Sequence, residues 1–299
     1  MTTSVQGNLP RSGHSASQAR RKQIAAFFSY LLMVLLAFFF LFPLVFLFVS
    51  AFKNDELQLV KDMNSLKAFV PSGDVGVQNY RDMSARVSFG QAFFNSSLVV
   101  SVTVLLGLLV NSSFAYALAR LRFRGRGLLL GLVVSLIIIP FQAVAIPLLL
   151  VVNSFGWNNG GNYPTLILPF VGSAFSIYLF YQFFISLPKE LEEAAQVDGA
   201  SKLRIYWSII LPLSGPVFST VAILQFLGLW GNLLWPVLTV RGDRYATLPY
   251  VMQTFFGQAP RQWGDVMAFA SLATLPTLIL FLVFQRFFVR SVVSSGVKG

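Results

Sequence analysis

The 299-residue chain has no cysteine and a single histidine, His14. Without thiols there can be no disulfide, thiolate nucleophile or cysteine-held metal. With the only imidazole in a polar N-terminal stretch, a histidine-based zinc site or proton relay in the apolar body is excluded as well. Charge is scarce too: 11% of residues are charged and 56% are hydrophobic. No Gly-Lys dipeptide occurs, so the chain carries no G-x-x-x-x-G-K-[ST] phosphate loop, and any nucleotide it depends on must bind another subunit.

The apolar residues come in runs too long and too pure for a soluble core. Six runs span roughly residues 24–52, 91–119, 127–152, 164–186, 208–238 and 266–285, and no charged residue falls within any of them. The expected fold is therefore an all-α membrane protein of six transmembrane helices. The first run is about twice a signal-peptide core in length, so 24–52 reads as a retained signal-anchor helix. Residues 1–23 are polar and read as a disordered tail, with 53–90 a long loop, 91–285 the remaining core and 286–299 a second tail.

Charge sets the orientation. The segments 1–23, 120–126, 187–207 and 286–299 hold 14 Lys/Arg against four acids. The alternate loops, 53–90, 153–163 and 239–265, hold eight against seven. By the positive-inside rule both termini and the 187–207 loop lie in the cytoplasm. The net charge of +11 does not indicate nucleic-acid binding, because the basic residues flank membrane runs and no soluble domain presents them.

Within the runs lie Pro43, Pro140, Pro147, Pro169, Pro212, Pro216, Pro236 and Pro276. Each frees a backbone carbonyl, which a membrane tolerates only where neighbouring helices or a cavity take it up. Small residues on the second run and the Gly127/Gly131 pair permit close helix approach. Asn95-Ser-Ser and Asn111-Ser-Ser match a glycosylation pattern but sit in or beside a run, so that reading is discarded. Gln225, Leu229 and Asn232 share one helical face with Trp230 and Trp235 nearby, a pattern suited to sugar hydroxyls and rings. It suits interhelical hydrogen bonding and an interfacial aromatic belt equally, and both readings stay open. The charge-free runs count against a cation-coupled carrier and lean toward an uncharged cargo.

The most informative segment is Leu187–Pro216, LPKELEEAAQVDGASKLRIYWSIILPLSGP. Pro188 and three glutamates suit a helix start; Gly199 suits its left-handed stop, and Ser201 suits the cap of a second helix. The spacing predicts a charged helix–turn–helix between two membrane runs. Glu193-Ala194-Ala195, Asp198-Gly199-Ala200 and Ile209-x-Leu211-Pro212 resemble the EAA loop of ABC importer permeases, in the variant of the maltose-type carbohydrate branch. Tyr116–Arg120, Thr247-Leu248-Pro249 and the terminal Gly296-Val297-Lys298-Gly299 extend the resemblance over most of residues 24–299.

The resemblance implies a permease that forms half of a sugar path in a bacterial or archaeal plasma membrane. It implies an ABC ATPase dimer that holds ATP and Mg, so no cofactor on this chain and no catalytic or metal site. It also implies a second homologous permease chain and an extracytoplasmic solute-binding protein, with 53–90 and 239–265 as the loops that receive the latter. Glu193 would contact the ATPase or pin the elbow, Asp198 would cap or brace the turn, and Ala194, Ala195 and Ala200 would keep the surface small enough to nest. Leu211 and Pro212 belong to the same coupling motif, and Gly296, Val297, Lys298 and Gly299 form a second ATPase contact. Gln225, Leu229 and Asn232 are the candidates for the cargo path. A permease for another neutral or zwitterionic solute, such as a peptide, amino acid or polyol, fits the same motifs; a membrane scaffold without transport is a further alternative.

Overall fold

The computed structural model describes residues 13–157 and 161–296 of the chain. Its helices are α1 Gly13–Ala51, α2 Glu56–Asp62, α3 Gln78–Arg86, α4 Phe89–Arg120, α5 Arg126–Ile138, α6 Phe141–Ser154, α7 Tyr163–Ile167 and α8 Ala174–Ser186. They continue with α9 Glu190–Val197, α10 Lys202–Ile205, α11 Leu211–Leu213, α12 Gly215–Trp230, α13 Leu234–Thr239, α14 Leu248–Phe256 and α15 Trp263–Gly296. Among the described residues there is no strand, only one isolated bridge between Lys53 and Val75.

Among the described residues, three helices are individually long and apolar enough to cross a membrane: Arg20–Ala51 of α1, all of α4, and Trp263–Phe284 of α15. The other three runs qualify only as bent pairs, α5 with α6 at 108°, Tyr163–Phe170 with α8 at 41°, and Lys202–Leu213 with α12 at 78°. The expected six spans are reached when each bent pair counts as one. The runs 127–152, 164–186 and 208–238 are thus not straight rods. Pro140 breaks the first, since it has no N–H and forces Ile139 into extended backbone. The 208–238 run also ends early: α12 stops at Trp230, and α13 carries Trp235 and Pro236 as a separate turn.

Helix extends into both polar ends. Residues 13–23, expected to be disordered, continue α1 outward, and 286–296 continue α15. Polarity alone does not stop a helix rich in Ala, Gln, Arg and Lys, all good helix formers. Pro43, Pro147 and Pro276 sit inside continuous helices.

Two apolar cores lie at opposite ends of α4. One gathers Met83, Val99, Trp235, Phe255 and Phe269 around the N-terminal half of α4. The other gathers Ala115, Tyr116, Phe180, Phe184, Ile205, Tyr206, Ile210 and Val221 around its C-terminal half. The most apolar stretch of α1 has no part buried in this chain, and its Phe-rich surface is left for lipid or another chain. Among the described residues, a Cβ added at Gly127 or Gly131 would meet nothing within 4 Å, although that pair suits close packing.

The 53–90 segment is a folded cap. Lys53 is buried, pairs with Asp62 at 2.7 Å and donates to the Lys67 carbonyl at 2.7 Å. The lysine, aided by donors on Gln58 and Ser72, holds the Asp62 carboxyl below its ordinary value. Its stabilisation is therefore complete above the unfolded value and is lost only as acid pH falls through the lowered folded one. Glu56 accepts from the first backbone N–H groups of α15, at Trp263 (2.8 Å) and Gly264 (3.1 Å), which ties the cap to that helix.

Candidate functional site

Within residues 187–216 the chain forms a helix–turn–helix elbow, α9 and α10. Leu187 and Pro188 lead into α9, whose first turn carries Glu190, Glu192 and Glu193, the placement a helix N-terminus favours. The helix ends in a paired 6→1 and 5→2 closure: Ala200 N–H donates to the Ala195 carbonyl at 2.9 Å and Gly199 N–H to that of Gln196 at 3.0 Å. Gly199 makes this possible with φ at +78°. Ser201 then caps α10, its hydroxyl accepting from Arg204 N–H at 3.3 Å. The chain returns through a π-helical turn, Tyr206–Ile210, before α11 and the bend into α12.

The predicted coupling residues divide into two sets. Glu193, Ala194, Asp198 and Gly199 are exposed, and beside them Val197 is 89% exposed. Ala195, Ala200 and Leu211 turn inward and pack on the second core, so two of the three alanines expected to smooth the outer surface are footings instead. Asp198 closes the helix with its backbone N–H, donated to Ala194, and its side chain is exposed. Pro212 is exposed in the first turn of α11. Gly296 is the last residue of α15, and Val297, Lys298 and Gly299 lie outside the described residues.

Charge counting missed what roots the elbow. Arg120, the last residue of α4, lies 2.9 Å through Nε from Glu192 Oε1, with the two side chains only 4% and 6% exposed. Its Nη2 donates to the carbonyls of Phe184 and Leu187 at the end of α8. Tyr116 donates to the Lys202 carbonyl at 3.3 Å, and the Tyr206 and Ser112 hydroxyls share a bond of 2.8 Å. The available signal was position: Arg120 adjoins the apolar run, one helical turn from Tyr116, on the buried face.

Gln225, Leu229 and Asn232 are brought together. All three line a cleft of about 810 Å³ between α5, α6, α8 and α12, with Gln142, Ser173 and Ser176 among its other polar groups. Gln225 Oε1 is buried without a partner among the described residues. Its amide lies over Gly107, where an added Cβ would come within 2.8 Å of it. The two indoles play another part. Trp235 is fully buried and donates to the Thr165 carbonyl at 2.9 Å, while Trp230 donates to that of Ala273 at 3.0 Å. Both are committed to the scaffold, and neither serves as an open stacking platform.

Two asparagines set aside in sequence hold the irregular backbone. Asn95 Nδ2 donates to the carbonyls of Arg244 and Ala246, and its Oδ1 accepts from Tyr163 Oη at 2.8 Å. Asn111 Nδ2 donates to the Val171 carbonyl and its Oδ1 accepts from Ser173 N–H, each at 2.9 Å, across the break before α8.

A family described as the binding-protein-dependent transport system inner membrane component matches residues 104–294. The arabinooligosaccharides transport system permease protein AraQ of Halalkalibacterium halodurans is 31% identical, covering 88% of this chain and 93% of its own. The trehalose/maltose transport system permease protein MalG of Thermococcus litoralis is 30% identical over 89% and 94%. The sn-glycerol-3-phosphate transport system permease protein UgpE of Yersinia enterocolitica is 30% identical over 90% and 96%. Among solved structures, a chain of a bacterial ABC transporter that imports the acidic polysaccharide alginate superposes with a TM-score of 0.77 at 22% identity, over 90% of this chain and 98% of that one. With this fold, and with a match across most of the membrane core, the chain belongs to the inner membrane components of binding-protein-dependent transport systems, the permeases of ABC importers.

Proposed function

We propose that this chain forms half of the translocation path of an ATP-driven importer for a sugar or oligosaccharide. A second, homologous permease supplies the other half and an extracytoplasmic binding protein delivers the cargo. An ABC ATPase dimer docks on the elbow and holds the ATP and Mg. The reading rests above all on the elbow itself: an exposed tip of Glu193, Ala194, Val197, Asp198 and Gly199 stands on a buried base. Such a tip has room for a visitor, and the base can pass its movement on.

Relatives named for arabinooligosaccharides and for trehalose or maltose support carbohydrate as the cargo class. The lean toward an uncharged cargo does not stand on the charge-free spans. A relative named for sn-glycerol-3-phosphate aligns over 90% of this chain, and the superposed transporter carries an acidic polysaccharide. Peptides, amino acids and polyols are the alternative cargoes. The neutral amides of Gln225 and Asn232 in the cleft suit hydroxyl-rich cargo and place no charge in its way. The test is ATPase stimulation of the reconstituted complex by its binding protein loaded from a panel of sugars, polyols and peptides. Stimulation confined to carbohydrates is expected; stimulation by peptides alone would overturn the cargo class.

A further inference from the structure

We infer that Arg120 is the positioning residue that makes the elbow, α4 and α8 a single lever, with Glu192 as its counter-charge. The inference rests on reading the elbow as the ATPase-docking site. One guanidinium meets three elements: it ends α4, donates to the Phe184 and Leu187 carbonyls that close α8, and lies 2.9 Å from Glu192 in the first turn of α9. Lysine could not do this, because a single ammonium lacks the planar fork that serves carbonyls on one edge and a carboxylate on another.

Burial is what makes the arrangement consequential. An exposed ion pair would contribute little, but a pair enclosed this far is costly to leave half-made. The elbow therefore cannot shift away from α4 without stranding a charge. Arg120 Nε and Glu192 Oε1 are close in distance yet off the hydrogen-bond line, and neither atom has another partner among the described residues. The link is thus mainly Coulombic and can tolerate some change of angle while resisting separation. Glu193, one residue on, is exposed. Adjacent glutamates divide the work: Glu192 holds the lever and Glu193 faces the partner.

Glu192→Gln keeps the side chain's shape and removes its charge. In the complete reconstituted complex, cargo moved per ATP hydrolysed should fall by at least ~5-fold, the scale of a coupling free energy between sites. Spin labels on Val197→Cys and Arg122→Cys, introduced into this cysteine-free chain, should give a narrow distance distribution with Glu192 present and a broad one in Glu192→Gln. If that variant fails to assemble, Arg120→Lys, which keeps the charge, should show a smaller loss in the same direction. Unchanged coupling and an unchanged distribution in either variant would overturn the inference. Crosslinking of Val197→Cys to the ATPase in otherwise native complex tests the docking reading separately. If that crosslink is absent, docking itself fails; if it forms while Glu192→Gln couples normally, only the lever fails.

Discussion

At the scale of the residue, the elbow depends on one backbone conformation. Gly199 has φ at +78°, and an added Cβ would meet nothing within 4 Å. The Cβ itself therefore meets no neighbour, and the cost of adding it comes from backbone strain. Gly199→Val places a β-branched side chain in the left-handed region, at a cost of at least about 1–2 kcal/mol. The strain should open the turn between α9 and α10 and move the exposed tip away from its footing. Membrane insertion should persist, because no transmembrane contact is touched. The measurement is membrane yield together with ATPase co-purification: normal yield with co-purification reduced several-fold is expected, and wild-type co-purification and transport would mean the turn geometry is dispensable. This much was legible in sequence, since a glycine after an acid-led helix has few other uses. The direction of Ala195 and Ala200 was not, because a small residue reads alike whether it faces a partner or a core. Nor was the pairing of Glu192 with Arg120, which joins residues 72 positions apart in the chain.

At the scale of the element, composition identifies where apolar runs lie but does not say whether they are straight. The 108° break at Pro140 could be located from the proline, yet the same residue type at Pro43, Pro147 and Pro276 leaves its helix continuous. What decides is whether neighbours satisfy the freed backbone, and that is a property of packing. Asn111 shows how this is done. It is fully buried on α4 and bonds both the Val171 carbonyl and the Ser173 N–H, two groups the break before α8 leaves without helical partners. Asn111→Leu keeps similar bulk but strands both groups, at about 1–3 kcal/mol for each. The thermal midpoint of the detergent-solubilised chain should fall clearly. Ser113→Ala, on the exposed side of the same helix, should stay within about 0.5 kcal/mol of wild type. Equal midpoints for the two variants would mean that the break is held by packing alone.

At the scale of the whole molecule, α4 is the rod that relates the two faces. Asn95, near its start, fastens the 244–246 backbone, and Arg120, at its end, fastens the elbow. At 1.5 Å per residue these anchors are about 37 Å apart along the axis, more than the ~30 Å hydrocarbon core of a bilayer. The 53–90 cap joins the Asn95 end through α15, since Glu56 holds Trp263 and Gly264 while Arg86 pairs with Asp265 at 2.8 Å. Cap and elbow must therefore face opposite compartments, whichever way the chain is inserted. By the positive-inside rule, the excess of Lys and Arg beside the elbow makes the cytoplasm the expected side for that end. The absence of native cysteine allows a clean check in intact cells. A membrane-impermeant maleimide should label Leu57→Cys, on the 82%-exposed cap position, without permeabilisation. In cells that express the chain without its ATPase partner, it should label Val197→Cys only after the membrane is opened. The reverse pattern would invert the topology and remove the elbow from reach of any ATP-hydrolysing partner. Labelling of both sites from outside would break the rod argument itself, because α4 would then not separate two compartments.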